Sequence, residues 1–328
     1  MILAGDIGGT KTNLAIMDRQ QGRLVSIRHR SVPSRHASSL EAILKEFLAG
    51  HSDKLDGACF GIAGPIVDGR CQATNLPWIV DVGALKHAVG LRAVTLINDL
   101  EATGYGIQTL PESAFAVLNV GEAQPHGAIG LIAAGTGLGE GALIWTGTRY
   151  QAVASEGGHA DFAPRNELEM ELLRYLMQRF GHASYERILS GPGKVNVYQF
   201  LRNTGHGEEP AWLTELLANV SDPSPTISEM ALNGRSELCA QALKLFVSIY
   251  GAEAGNVALK YFARGGLYVG GGIAPKMLPA LQDGTFMQAF LDKGRLAPLM
   301  ARISVRVILE EHTALFGAAH YASFDSSD

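Results

Sequence analysis

The sequence predicts an α/β protein built from two related halves, and three patterns predict it. Over residues 1–110, β-like alternation changes places repeatedly with helix-spaced apolar runs. A second unit beginning near residue 111 opens as the first does, on a strand, a glycine turn and a strand. A short apolar helix closes the chain and is expected to pack back on the first domain. The expected domains are therefore 1–110 plus 310–328, small and α/β, and 111–309, larger and α+β. Two halves that each open on a glycine hairpin can close on a ligand held in a cleft between them.

The elements follow in order. "AGDIGGTKTN" comes within one residue of the phosphate-binding pattern G-x-x-x-x-G-K-[ST], but Thr10 stands where the last glycine belongs. Such a loop must open into a helix, whose N-terminus holds the phosphate. After Thr12, Leu14 and Ile16 alternate with Asn13 and Ala15, "RQQG" reads as a turn, and "RLVSIRH" as a further strand. The stretch is a strand hairpin, and the helix-dependent phosphate loop is excluded. "SSLEAILKEFLAG" spaces Leu40, Ile43, Leu44, Phe47 and Leu48 as a helix, with Ser38 or Ser39 as cap and Gly50 as stop. "GACFGIAGP" and "VTLINDL" read as strands, the second ending at Asn98-Asp99 before a helical "LEATGYGI".

In the second half, "HGAIGLIAAGTGLGEGALIW" matches "ILAGDIGGTKTNLAIM" as a weak internal repeat. "NELEMELLRYLMQRFG" is an amphipathic helix, while "NTGHGEEP" and "SDPSPT" read as loops from their Gly, Pro and Ser content. Residues 235–262 read as helix with a break at Gly251–Gly255. "GLYVGGGIAPKML" is a strand, three glycines and a helix start, and "ISVRVILEEHTALFGAAHYA" a strand and the closing helix. Residues 200–225 carry no recognisable motif.

Composition narrows the function. The net charge of −5 argues against nucleic acid or an anionic membrane as a charge-held partner. Glycine, 39 residues, clusters in "DIGGT", "GTGLG", "EGGH", "SGPG" and "VGGG", which marks special backbone sites rather than low complexity. Cys59, Cys71 and Cys239 are odd in number and widely spaced, which disfavours disulfides and cysteine-rich zinc. "MILAGD" meets an acid too early for a signal-peptide core, and no uncharged apolar run approaches the ~18–20 residues of a membrane span. A soluble cytoplasmic protein is expected.

Candidate chemistry sits at the glycine turns and at isolated acids. Asn98-Asp99 falls past the carboxyl end of a strand, the ligand edge of an open α/β sheet. A carboxylate there can accept a hydroxyl proton, and a helix N-cap is the competing role. Amides in "DIGGTKT" and "GTGLG" can form anion-binding nests. Asp6 suits a magnesium-bound phosphate better than a bare one. Lys11 either neutralises phosphate or is a surface lysine. Glu156 and His159, three apart in "SEGGHADF", suit hydrogen bonds to a hydroxyl-rich ligand, a solvated loop being the alternative. Glu186 alone reads as a surface residue. "VGGGIAP" permits close approach of a base or phosphate, or tight helix–strand packing.

These stretches together resemble the bacterial glucokinase family, of the actin-like, ribonuclease-H-like ATPase fold. "GDIGGTKTNLA", "GIAGPI", "TNLPW", "INDLEA", "AAGTGLGEG", "SEGGHADFAP", "ERILSGPG" and "GGGIAPK" occur in that order over nearly the whole chain. The resemblance implies transfer of the γ-phosphate of ATP to the 6-hydroxyl of glucose in a cleft between two lobes. It implies Asp99 as general base and Asn98, Asp99, Glu156, His159 and Glu186 as the glucose set. It implies that Asp6, Gly8, Gly9, Thr10, Lys11, Gly135, Thr136, Gly137, Gly139, Gly270, Gly271, Gly272 and Ile273 meet the nucleotide, with Asp6 near Mg2+ through water. The cysteine-rich zinc motif of the related ROK kinases is missing after "GGHADF", so no structural zinc is expected. A homodimer is the expected assembly. Rival readings are a kinase for another hexose or amino sugar, another phosphoryl donor, a sugar-responsive regulator, and a plain nucleotide hydrolase.

Overall fold

A computed structural model describes residues 1–73 and 76–325. Thr74 and Asn75, which open the "TNLPW" match, lie outside the described residues. The chain divides into two compact units, Met1–Ala114 with Thr148–Ala154 and Glu310–Asp328, and Phe115–Gly147 with Ser155–Leu309.

In the first unit, β1 (Ile2–Ile7) and β2 (Lys11–Gln20) pair antiparallel with Asp6 opposite Asn13, so the opening stretch is a hairpin with no helix behind it. β3 (Arg23–Pro33) follows a two-residue turn in which Gln21 and Gly22 both have positive φ, the turn whose twist suits paired strands. Ser39 caps α1 (Leu40–Leu48) by accepting from Ala42 N–H, and Leu40, Ile43, Leu44 and Phe47 form its buried face. β4 (Gly57–Ile62) lies parallel to β1. A small sheet of β5 (Ile66–Val67), β6 (Arg70–Gln72) and β7 (Ile79–Asp81) leads into α2 (Val82–Val89). Then β8 (Val94–Asn98) joins β4 in parallel and α3 (Asp99–Ile107) follows it directly.

The second unit begins with β9 (Phe115–Asn119) and the hairpin of β10 (Ile129–Ala134) and β11 (Leu138–Trp145). β12 (Tyr150–Val153) is grouped with the first unit, where Tyr105 Oη accepts from Ala152 N–H at 3.0 Å. Helices α4 (Glu167–Phe180), α5 (Gly191–Asn203), α6 (Ala211–Ala218), α7 (Pro223–Leu232) and α8 (Glu237–Lys260) come next. β13 (Gly266–Gly270) is followed by α9 (Leu278–Gln282), α10 (Thr285–Leu291), α11 (Ala297–Met300) and β14 (Val305–Ile308). The last helix, α12 (Thr313–Asp325), belongs to the first unit and packs on α3, β1 and β4.

The repeat seen faintly in sequence is plain in topology. β1 pairs antiparallel with β2 and parallel with β4, which pairs parallel with β8; β10 stands in the same relation to β11, β13 and β14. Each glycine turn therefore heads the central strand of a like-ordered sheet.

Two local expectations are corrected. "SDPSPT" is mostly helix: Asp222 caps α7 by accepting from Ser224 N–H at 3.0 Å, and Pro223 sits in the first turn, where no N–H is required. Helix α8 runs unbroken through Gly251 and Gly255, because those glycines serve packing. A Cβ on Gly251 would stand 2.1 Å from the Phe286 carbonyl oxygen of α10. Gly251→Ala is therefore expected to cost about 1–3 kcal/mol of stability as an overpacking change. Urea unfolding with an unchanged m-value would show it, and an unshifted midpoint would refute it.

Candidate active site

The first unit gathers its candidates at the carboxyl ends of β1, β4 and β8. Strand register aligns Ile7 with Ile62 and Ile62 with Asn98, which brings Asp6 and Asp99 to one edge. Burial, with the Asp99 charge adding, pushes the Asp6 carboxyl up to about 6, partly offset by Asn13 Nδ2 donating to it at 3.3 Å. The turn above is braced from behind: Gly8 N–H donates to Lys11 O at 2.9 Å, and Ser34 N–H to Thr10 O at 3.0 Å. Buried Ser34 also donates its hydroxyl to Gly8 O at 2.7 Å and meets Thr12 Oγ1 at 2.9 Å. Thr10 and Lys11 are left exposed at the tip, and Gly9 is partly buried.

The capping role falls to Asn98. Its Oδ1 accepts from Leu100 N–H at 2.9 Å, its Nδ2 donates to Gly64 O at 3.4 Å, and Glu101 closes the reciprocal cap on its N–H. Asp99 is the first residue of α3 and partly exposed, with Oδ1 accepting from its neighbour Leu100 N–H at 3.0 Å. Asn98 makes a backbone contact at each end of its amide, and Asp99 stands at the sheet edge.

The second unit brings Glu186, His159 and the second glycine turn together. Glu186 lies on a 3₁₀ turn (Tyr185–Arg187), and its Oε2 accepts from Leu138 N–H at 3.0 Å. A Cβ on Gly137 would stand 2.5 Å from that same oxygen, so the turn backbone lies directly against the carboxylate. His159 Nε2 is 3.9 Å from Glu186 Oε2. Glu156 and His159 bound another 3₁₀ turn, whose three-residue period places them along one edge. Gly135 N–H donates to Gly137 O and Gly191 N–H to Gly135 O, both at 2.8 Å, while Thr136 is exposed at the tip and Gly139 partly buried on β11.

The 270–273 turn is tied to the same place. Gly271 has a φ of +82°, and a Cβ there would meet Ala134 O at 2.2 Å, so only glycine follows this path. Gly270 is buried and Gly272 exposed, while Ile273 N–H donates to Ala134 O at 3.3 Å.

Sequence reasoning missed Tyr250, Ser34 and Glu140. Fully buried Tyr250 accepts from Ala134 N–H at 3.3 Å and donates to Gly270 O at 3.4 Å, joining the two glycine turns through one hydroxyl. A tyrosine in a long apolar helix gives no sign of this. Glu140, an acid inside an otherwise apolar strand, was the one visible signal. Tyr250→Phe leaves a buried N–H unpaired, a loss of ~1–3 kcal/mol. Its expected result is a KM for ATP raised at least ~5-fold; a value within twofold of wild type would deny the coupling.

Among the described residues no cluster of three His, Cys, Asp or Glu is arranged to hold a metal, and no helix is long and apolar enough to cross a membrane. A magnesium–nucleotide needs one carboxylate, waters and phosphates rather than such a cluster. Asp6 fits it on charge, because a cation there relieves the burial and the Asp99 repulsion acting on its carboxyl.

Comparison with known proteins completes the assignment. The crystal structure of a glucokinase from an Antarctic psychrotroph superposes with a TM-score of 0.86 at 30% identity, covering 98% of each chain. A glucokinase from Balamuthia mandrillaris in complex with glucose shares the fold, with a TM-score of 0.82 at 22% identity, covering 98% of this chain and 93% of that one. The fold is that of the sugar kinases. A glucokinase of Nostoc punctiforme is 44% identical over 333 residues, covering 97% of this chain and 98% of the relative. Residues 3–324 match the family model Glucokinase, and the chain belongs to the glucokinase family.

Proposed function

We propose that this protein transfers the γ-phosphate of ATP to the 6-hydroxyl of glucose, forming glucose 6-phosphate. The observation that carries this reading is the near-full-length identity to proteins named glucokinase. Phosphoryl transfer asks a protein chiefly to position reactants and stabilise charge. Asp99 takes the proton from the attacking hydroxyl. Its place at the end of β8, one residue past the Asn98 cap, supports that role. Glu156, His159 and Glu186 bond sugar hydroxyls, supported by the approach of His159 to Glu186; Asn98 completes the set near the substrate. The amides of Gly8, Gly9, Gly135, Gly137 and Gly139, with Thr10, Lys11 and Thr136, hold the phosphates. Gly270, Gly271, Gly272 and Ile273 line the adenosine. Asp6 would hold magnesium, which would supply charge neutralisation at the phosphates. A cytoplasmic homodimer is part of the same proposal.

A coupled ADP-release assay with glucose, mannose and glucosamine tests the reaction. Release that depends on sugar and is highest in kcat/KM with glucose is expected. ADP release indifferent to sugar, or highest with another sugar, would overturn the reading.

A further inference from the structure

We propose that the second unit carries a binding site for a small hydroxylated anion, the chemistry shared by sugar phosphates and sugar acids. The site is a cavity bordered by α4, α8 and α10. Its volume is about 930 Å³, within the ~300–1,000 Å³ of small-molecule sites. None of the residues lining it is a candidate for glucose or nucleotide contact. Gln241, Lys244, Leu245 and Ser248 present one face of α8 to it, at the three- and four-residue spacing of a helix. Leu168, Leu201, Leu245 and Ala289 supply apolar lining, and polar side chains supply the rest.

One cation of the cavity is locked in place. Arg165 stands just before α4, and the carboxylate of Glu169, 0% exposed, accepts from its backbone N–H at 2.8 Å, from Nε at 3.1 Å and from Nη2. Nη2 also donates to Ser248 Oγ of α8 at 2.8 Å. A guanidinium has five N–H groups. The two on Nη1 are left with no partner among the described residues, on a head that is already oriented. Lys244 lies four residues before Ser248, so it is the next side chain along the same stripe of α8. Its exposed ammonium has no partner among the described residues, and neither do the Gln288 amide and the Thr285 hydroxyl of α10. Glu169 balances the charge of Arg165. Lys244 is therefore the unmatched cation, and Arg165 adds directed donors beside it.

Asp292 is the acid that opposes an anion here, and the helix packing sets it at the other end. A Cβ on Gly251 would meet Phe286 O at 2.1 Å and one on Gly255 would meet Phe290 O at 2.8 Å, so α8 and α10 run side by side in the same direction. Lys244 lies about two turns before the Gly251–Phe286 contact, and Asp292 more than one turn after it. Lys293, the neighbour of Asp292, confirms the placing: its Nζ donates to Ala252 O at 3.0 Å and to Asn256 Oδ1 at 2.8 Å. The anionic head therefore belongs at Lys244 and Arg165. Thr285, Gln288 and Asp292 are left to take hydroxyl groups along α10. A bare phosphate ion fills too little of this volume, which is why the body is part of the assignment.

Titration calorimetry of the full chain with sorbitol 6-phosphate, gluconate and sorbitol tests the site. The three share a hydroxylated six-carbon body and differ in the head. Each titration is run with and without excess glucose and a non-hydrolysable ATP analogue. At least one anion is expected to bind with a Kd at or below ~1 mM, and ~10-fold or more tighter than sorbitol. Tighter binding of the phosphate identifies a sugar phosphate, and tighter binding of the carboxylate a sugar acid. Lys244→Ala is expected to weaken the anion at least ~10-fold by loss of a charge-assisted hydrogen bond. Lys244→Arg, which keeps the charge, should retain most of the affinity, and Asp292→Asn should raise it by removing a like charge. Lys244 is exposed and unbonded, so its replacement leaves the fold intact. Failure of both anions to bind, equal binding of sorbitol, or unchanged affinity in Lys244→Ala would overturn the proposal. Binding seen only without glucose and the analogue would place the ligand at the catalytic residues and overturn it equally.

Discussion

Asp99→Ala is expected to lower kcat at least ~100-fold while leaving glucose affinity within a few-fold of wild type. The reason is the kind of work the carboxylate does. In the proposed reaction it takes the hydroxyl proton as the bond to phosphorus forms, and a positioned base typically contributes roughly 10²–10⁴-fold. An interaction made mostly in the transition state lowers kcat and kcat/KM together, with little change in ground-state binding. Local structure supports a clean experiment. Asn98, not Asp99, carries the main cap of α3, so the helix keeps its start in the variant. Relief of charge beside Asp6 accompanies the change, since Asp99 helps raise the Asp6 carboxyl. A variant turning over within threefold of wild type would remove Asp99 from the base role.

Glu186→Ala is the second large expected effect, and it should register on both substrates. One oxygen of this carboxylate accepts from Leu138 N–H at the end of the glycine turn and lies 3.9 Å from His159. Losing charged hydrogen bonds to the backbone and to a sugar hydroxyl removes ~1.5–3 kcal/mol each, or at least ~100-fold in kcat/KM for glucose. Glu186→Gln separates the two duties. Its amide oxygen still accepts from Leu138, so the KM for ATP should return toward wild type, while the charge-dependent share of sugar recognition stays lost. An alanine variant within threefold of wild type on glucose would show that Glu186 only braces the turn. Deoxyglucose analogues then identify the hydroxyl it meets, because a site built to bond a hydroxyl discriminates strongly against its absence.

What could be read from sequence followed from how local each cause is. The β1–β2 hairpin was legible because alternation and a glycine turn are properties of neighbouring residues. A cap at Ser38 or Ser39 and one within Asn98-Asp99 were legible for the same reason, and the fold assigns them to Ser39 and Asn98. "SDPSPT" was misread because proline counts against a helix everywhere except its first turn, and only the Asp222 cap tells which case applies. The predicted break at Gly251–Gly255 failed because those glycines answer to α10, far along the chain. The candidate site divides in the same way. Asp6, Asp99 and the glycine turns announce themselves by motif. Glu186 looks like an ordinary surface acid until the fold sets it against Gly137. Tyr250 and Ser34, which brace the glycine turns from behind, belong to no motif, since each acts through backbone groups many residues away.

At the centre stands the claim that Asp99 primes the sugar hydroxyl while the glycine turns hold the nucleotide. A crystal structure of the protein with glucose, magnesium and a non-hydrolysable ATP analogue tests it most directly. The 6-hydroxyl oxygen is expected within hydrogen-bonding reach, about 2.6–3.2 Å, of an Asp99 carboxylate oxygen, with amides of both turns on phosphate oxygens. A sugar bound with that oxygen well out of reach of Asp99, or phosphates resting elsewhere than on the two turns, would contradict it.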